Sequence, residues 1–236
     1  MYNVRKIEEN INMRGDFQGL FLYDQELAPR TSFKVGGKAQ LLVEPATNES
    51  FLMVLETLKK LRFPYLILGG CSNVVVPDEG IEYPILSTSQ LKSLTVSPDK
   101  TLLHCGAGCS WQQVIDFCLE QRLGGLENFA GLPGTLGGAT FMNARCYDVA
   151  ISDVLVQVDY GQLTQNEAGQ WNASLQIYKM NVADWDYKIS PFQKQLVDCP
   201  VLAVTLKVRP LDETEIQLMK QKAQSFVADR EQKGHF

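Results

Sequence analysis

Two short stretches carry residues whose types and spacing can do chemistry. In "LGGCSN", residues 68–73, an apolar run leads straight into Gly69 and Gly70, then Cys71, Ser72 and Asn73. Glycine amides in such a turn can point at one spot with no side chain in the way. Ser72 and Asn73 add neutral donors, so the group suits a diphosphate without any Lys or Arg. A tight turn between two strands uses the same residues, and the stretch is neither GxGxxG nor a P-loop. "GLPGTLGGATFMNA", residues 131–144, places glycines at 131, 134, 137 and 138, with Pro133 fixing φ beside them. A loop entering a short helix at Gly137 would turn free N–H groups outward, and its bare backbone offers a close, flat surface to an aromatic ring. A long irregular loop under packing constraint would look the same. Two such segments, each beside the end of a strand or helix, point to a two-part ligand more strongly than either does singly.

Other candidates are weaker. "DWDYKISPFQ", residues 184–193, sets Tyr187 and Lys188 between polar residues and a Ser-Pro turn, ordinarily a solvated pair. "TSFKVGGKAQ", residues 31–40, holds another glycine pair that a simple turn explains. His104, Cys105 and Cys109 lie close in sequence, but no second ligand pair exists, so no metal site is expected. The six cysteines are scattered with no CxxC pair, which reads as reduced, mostly buried thiols of a cytoplasmic protein.

The elements that must position these residues follow from periodicity. Residues 40–45 read as a strand, and Phe51, Leu52, Leu55, Leu58 and Leu61 repeat at helical spacing behind a cap at Thr47 or Asn48. "YLILGG", residues 65–70, is expected as a strand buried on both faces, completing a βαβ unit. "NVVVPDEG" then reads as a short strand and a turn. From about residue 85, short β segments dominate: "PILS", "LKSLTV" and "TLLHCGAG", with "SPDK" as a hairpin signal. Ser110 caps an amphipathic helix with Trp111, Val114, Ile115, Cys118 and Leu119 on one stripe, which Gly124 is expected to end. "VLVQVDY", "QIYKM" and "VLAVTLKVRP" are strands, and Leu202, Val204, Leu206 and Val208 share a face of the last. Residues 212–231 form a final helix with Ile216, Met219, Ala223, Phe226 and Val227 inward. The reading is α+β in two lobes, residues 1–85 and 86–210, followed by a helical segment 211–236. The chain has 236 residues, is 45% hydrophobic and carries a net charge of −5, which argues against a nucleic-acid or anionic-membrane surface. It has no long uncharged apolar run and no apolar core of a signal peptide.

In this order, "TSFKVGGKAQLLVEP", "LGGCSN", "GAGCSWQQVI", "GLENFAGLPGTLGGATFMNA", "ISDVL" and "YKISPF" resemble the UDP-N-acetylenolpyruvoylglucosamine reductase family, over about residues 31 to 209. Each motif alone is weak; their order and spacing carry the resemblance. It implies a two-lobed FAD-binding fold of the vanillyl-alcohol oxidase and p-cresol methylhydroxylase type, plus a third lobe for the substrate. FAD would lie between the lobes. Gly69, Gly70, Cys71, Ser72 and Asn73 would hold its diphosphate, and Pro133, Gly134, Gly137 and Gly138 would approach the flavin and ribityl portion. Leu132, Thr135, Asn143 and Ile151 would also contact the cofactor. The implied reaction, in peptidoglycan synthesis, carries a hydride from NADPH through FAD to the enolpyruvyl double bond of a UDP-sugar. No nucleic acid or membrane partner is implied.

In such a reaction a cation steadies the charge that builds on the substrate carboxylate, and a serine supplies the proton. Lys188, beside Tyr187, matches the arginine of the family's Tyr-Arg motif, keeping the charge without the planar fork. "NARCYD" stands where the family reads Asn-Ala-Gly-Ala-Tyr-Gly. Arg145 therefore either faces the phosphates or substrate carboxylate, making good what Lys188 lacks, or points outward. The chain ends at "REQKGHF", before the family's Gly-Ser-x-Phe-Lys-Asn segment with the donor serine and before a catalytic glutamate. Residues 211–236 then read as a helix leading toward a missing or truncated third lobe. Three readings follow: the reductase, with its catalytic completeness open; a non-catalytic or degenerate flavin-binding protein; and another FAD-dependent oxidoreductase of the same fold.

Overall fold

The structure, a computed structural model, describes residues 2–234. In chain order its elements are α1 (Arg5–Asn12), β1 (Gly19–Glu26), β2 (Lys38–Pro45), α2 (Asn48–Lys60), β3 (Leu66–Leu68), β4 (Ile85–Ser87), β5 (Leu94–Val96) and β6 (Leu102–Gly106). There follow α3 (Trp111–Gln121), β7 (Leu123–Gly124), α4 (Leu136–Phe141), β8 (Arg145–Cys146), β9 (Val149–Ala150) and α5 (Ile151–Val154). The chain continues through β10 (Leu155–Gln165), β11 (Trp171–Lys179), β12 (Val201–Lys207), β13 (Arg209–Pro210) and α6 (Glu213–Lys233). This is an α+β fold built on two main sheets.

The first sheet has the order β1-β2-β4-β3, with β1 antiparallel to β2 and both β2–β4 and β4–β3 parallel. The βαβ unit therefore exists, but β4 sits between its two strands. That corrects one expectation: β3 is an edge strand in which Leu66 and Ile67 are only half-buried, so its apolar run does not mark a strand covered on both faces. No strand forms at "NVVV"; Pro77 instead turns the chain, and its carbonyl accepts N–H bonds from Gly37 and Gly80. β1 and α1 carry no strong sequence signal. They form because β1 pairs along the whole of β2 and α1 buries Ile7 and Ile11 against α2.

The second sheet, β11-β10-β12-β6-β5, is antiparallel throughout. Its central strand β12 is buried on both faces up to Leu206. The α3 helix starts on a reciprocal capping box between Ser110 and Gln113. It stops at Arg122, left-handed at φ +59°, rather than at Gly124, which pairs in β7 with Arg209 and lies against Leu211. Trp111 and Phe129, both fully buried, stack at 4.2 Å in the core beneath this sheet. All six cysteines are free, and no helix among the described residues is long and apolar enough to cross a membrane.

Helix α2 joins the two sheets. Thr47 caps it by accepting the Ser50 N–H, with Glu49 in its first turn and Lys59 and Lys60 in its last, the signs the helix dipole favours. Phe51, Leu55 and Leu58 fill the core shared with Leu41, Val43 and Leu202 of the two sheets. Glu56, nearly buried, accepts the Ala173 N–H of β11 at 3.2 Å and pairs with Lys60 at 2.5 Å and Arg14 at 3.0 Å. Burial alone would raise its pKa, but the Lys60 and Ala173 bonds and the charges of Lys60 and Arg14 outweigh that and hold it below the ordinary carboxylate range. Its contribution to stability is therefore complete above that range and is lost as pH falls through the lowered folded value. Glu56→Ala should cut the unfolding free energy at neutral pH by about 1–3 kcal/mol in a urea titration. It should also flatten the acid side of the stability profile; an unchanged acid limb would show that the staple contributes nothing.

Candidate functional site

The two glycine-bearing segments meet. The Gly70 N–H donates to Thr135 Oγ1 at 3.2 Å, across 65 residues of sequence. A Cβ on Gly69 would stand 2.7 Å from Thr135 Oγ1, and one on Gly70 would stand 3.0 Å from both Gly134 Cα and Thr135 Cγ2. Gly134, left-handed at φ +91°, lies directly against Ser72 Oγ. The segments thus touch backbone to backbone, and glycine is required because any side chain would hold them apart.

The helix that follows refines the expectation of free amides. It begins at Leu136, not Gly137, and its first donors are spent inside the protein. The Leu136 N–H donates to the Cys109 carbonyl and the Gly137 N–H to the Ala107 carbonyl, both at 2.9 Å. The Gly138 N–H has no hydrogen-bond partner among the described residues; Gly138 is exposed, and a Cβ there would meet Thr135 Oγ1 at an ordinary 3.8 Å. The amides of Cys71, Ser72 and Asn73 are also unpaired among the described residues, as are the Ser72 hydroxyl and the Asn73 side chain. Cys71 is left-handed at φ +52°, which turns the loop sharply where these amides gather.

The loop is neutral. Burial pushes the Cys71 thiol up; the nearby Arg30 charge opposes this and Glu44 adds to it, so the sulfur carries its proton at neutral pH. Arg30 and Glu44 form a forked pair, 2.7 and 3.4 Å, with the Ser89 hydroxyl also donating to Glu44 at 2.6 Å. On the outer side, Ser32 donates its N–H to the Cys71 carbonyl and Gly36 fits against Val76, so the 31–37 turn braces the loop.

At the other end of α4, about 9 Å along the axis for six residues, the chain is tied to the Tyr187–Lys188 segment. The buried Asn143 side chain donates to the Asp186 carbonyl at 2.8 Å and accepts the Ser152 N–H at 3.3 Å. Ser190 donates its hydroxyl to the Phe141 carbonyl at 2.7 Å. Asp186 and Ile189 exchange backbone bonds, so Tyr187 and Lys188 form the exposed tip of a tight hairpin, with Lys188 left-handed at φ +56°. Lys188 Nζ lies 5.6 Å from the Tyr187 ring centre.

Of the residues singled out in the sequence, Gly69 to Asn73, Gly134, Thr135 and Gly138 converge on one place, with Leu132 and Pro133 on the approaching turn. Asn143, Tyr187 and Lys188 stand together at the far end of α4. Ile151 faces the core, and its N–H is held by the Ala144 carbonyl. Arg145 is exposed, and its guanidinium donates to the Asp148 carbonyl of its own β8–β9 hairpin at 2.7 Å. Ser190 and Ala107, which fix the two ends of α4, carried no signal beyond small size.

Residues 39–161 match the family model described as an FAD binding domain. The chain is 34% identical to UDP-N-acetylenolpyruvoylglucosamine reductase of Treponema denticola over 226 residues, covering 93% of this chain and 68% of the relative. It is also 34% identical to the Treponema pallidum protein of that name, covering 89% and 68%. Among solved structures, the reductase from Thermus caldophilus superposes with a TM-score of 0.67 at 22% identity, over 92% of this chain and 70% of that one. Cholesterol oxidase from Brevibacterium sterolicum gives 0.57 at 15% identity over 82% and 38%. At those identities the superpositions speak for the fold alone.

The packing at Gly137 can be tested directly. Alanine there would gain helix propensity, roughly 1 kcal/mol. Its Cβ, however, would sit 2.8 Å from Ala107 Cβ and 3.2 Å from the Ala107 carbonyl oxygen, atoms that cannot swing aside. Overpacking costs about 1–3 kcal/mol, so Gly137→Ala should be net destabilising in thermal melts. Adding Ala107→Gly should recover part of the loss, with a coupling of about 1 kcal/mol; strict additivity would disprove the contact.

Proposed function

We propose that this chain, which belongs to the UDP-N-acetylenolpyruvoylglucosamine reductase family, holds FAD where its two glycine-bearing loops meet and acts as an NADPH-dependent reductase of UDP-N-acetylglucosamine enolpyruvate in peptidoglycan synthesis. The observation that carries this reading is the set of unpaired neutral donors around the Gly70–Thr135 contact, inside the segment that matches an FAD binding domain. The donor set fits the group. A diphosphate needs several N–H and O–H donors and no nearby carboxylate. The amides of Cys71, Ser72, Asn73 and Gly138, with the Ser72 hydroxyl, supply the first; residues 69–73 carry no carboxylate, and Glu44, whose charge reaches Cys71, is paired with Arg30. The two sheets bridged by α2 support a two-lobed arrangement of the vanillyl-alcohol oxidase type, with the cofactor between the lobes.

Bound FAD supplies a hydride relay between a nicotinamide donor and an electron-poor double bond. The chain's part is to bind, orient and balance charge. The exposed face at Gly138 and Pro133 lets a flat ring approach the backbone. Lys188 supplies the cation beside the substrate carboxylate, on a hairpin that Asn143 ties to the helix carrying Gly138. That linkage sets the distance between the charge and the ring.

Purified protein titrated with FAD should acquire the visible flavin band, and anaerobic NADPH should bleach it. Enolpyruvyl substrate should then restore it. Bleaching without recovery would favour a flavin-binding protein that does not turn over this substrate; absence of flavin uptake would end the whole reading. Lys188→Ala should slow the substrate-driven recovery by roughly 10²-fold and the NADPH-driven bleaching far less. Equal slowing of both steps would mean that Lys188 acts only through structure.

A further inference from the structure

The last two turns of α6 are fastened to the segments on either side of α4, and that fastening has a cofactor-facing consequence. Before α4, Arg230 Nε donates to the Ala130 carbonyl at 3.2 Å, immediately ahead of Gly131. Gly131 is left-handed at φ +71°, and a Cβ there would lie 3.0 Å from Arg230 Cδ and 3.2 Å from Val227 Cγ2. After α4, Tyr147 of the β8–β9 turn stacks on Phe226 at 4.0 Å. Its hydroxyl is 3.0 Å from the Phe226 carbonyl and 2.8 Å from Asp229 Oδ2. The Arg230 guanidinium covers the Tyr147 ring at 5.2 Å and also reaches Cys146 Sγ. Asn128 closes the circuit by donating to the Tyr147 carbonyl at 3.1 Å.

One arginine thus grips both flanks of the short helix. Gly131 is bare for the sake of α6, whereas Gly134 is bare for the Ser72 loop three residues later. The path of residues 131–134 is fixed at one end by Arg230 and at the other by the Gly70 contact. We infer that Arg230 is a positioning residue for the cofactor: by holding the Ala130 carbonyl and the Tyr147 ring it sets where Pro133, Gly134 and Gly138 stand, and so controls flavin affinity from outside the site. The inference rests on the reading that these residues face FAD.

Equilibrium FAD titration, followed by flavin fluorescence, tests it on the full chain. Arg230→Ala should weaken FAD binding by roughly 10-fold with helix content unchanged. In the FAD-free protein it should speed amide exchange across residues 128–138. Arg209→Ala, which breaks an ion pair with Glu215 at the opposite end of α6, is the control and should leave affinity unaltered. Should Arg230→Ala fail to fold, Arg230→Lys keeps the aliphatic stem against Gly131 but loses the Nε–H bond to the Ala130 carbonyl, and should still give a measurable loss of affinity. Several results would overturn the inference: unchanged affinity in Arg230→Ala, or in Arg230→Lys where that variant stands in; faster exchange with unchanged affinity; or an equal loss in Arg209→Ala. Tight FAD uptake by the unaltered chain together with any of these would sink the inference alone. No uptake by the unaltered chain would sink the flavin reading and the inference with it.

Discussion

Where Gly70 meets Gly134 and Thr135, two stretches of main chain lie so close that a Cβ on Gly70 would stand 3.0 Å from Gly134 Cα. One hydrogen bond, 3.2 Å from amide to hydroxyl, marks the place. Such a bond adds only about 1 kcal/mol by itself. The closeness matters more, because it fixes the loop after β3 to the start of α4 and so brings a strand end of the first sheet against a helix lying on the second. Glu56 makes a second polar link, from α2 to β11 of the second sheet. The first link carries the candidate site; the second keeps the bodies around it from sliding.

The contact divides labour among residues that look alike in sequence. Gly69, Gly70 and Gly134 are bare so that the loops can pack, and Gly131 and Gly137 so that α6 and Ala107 can approach. Gly138, in contrast, has an amide with no partner among the described residues, and a Cβ there would meet Thr135 Oγ1 at an ordinary 3.8 Å. The amides of Cys71, Ser72 and Asn73, where the left-handed Cys71 bends the chain, likewise have no partner among the described residues.

That division explains what could be read from the chain beforehand. Periodicity and capping placed α2, α3 and α6, since Thr47, Ser110 and Asp212 are strong local start signals before apolar stripes. They failed where tertiary pairing decides. The Leu66–Leu68 run reads as doubly buried, yet its strand lies at a sheet edge; Gly124 reads as the end of α3, yet Arg122 adopts the left-handed cap and Gly124 joins a strand. The convergence of residues 69–73 with 134–138 was legible because two bare segments beside element ends need a shared reason. Which amides would remain unpaired was not, because the acceptors at Cys109 and Ala107 come from a distant turn that no local pattern reveals. Arg230 was invisible for the same reason.

The lysine at position 188 can be weighed on these terms. Arginine would offer a carboxylate two parallel bonds in a rigid fork, whereas lysine offers one mobile point charge. Arg145 is the cation that sequence alone suggested as a substitute; its exposed guanidinium donates one bond, to the Asp148 carbonyl across its own hairpin. The Lys188 backbone is held left-handed, at a cost of order 1 kcal/mol, by the paired Asp186 and Ile189 and by Asn143 beneath them. The base of the side chain is thus fixed, and its end lies over the Tyr187 ring, 5.6 Å from the ring centre. On the reading proposed above, Asn143, whose amide holds the Asp186 carbonyl beneath this hairpin, is the residue on which the placement of the Lys188 charge depends.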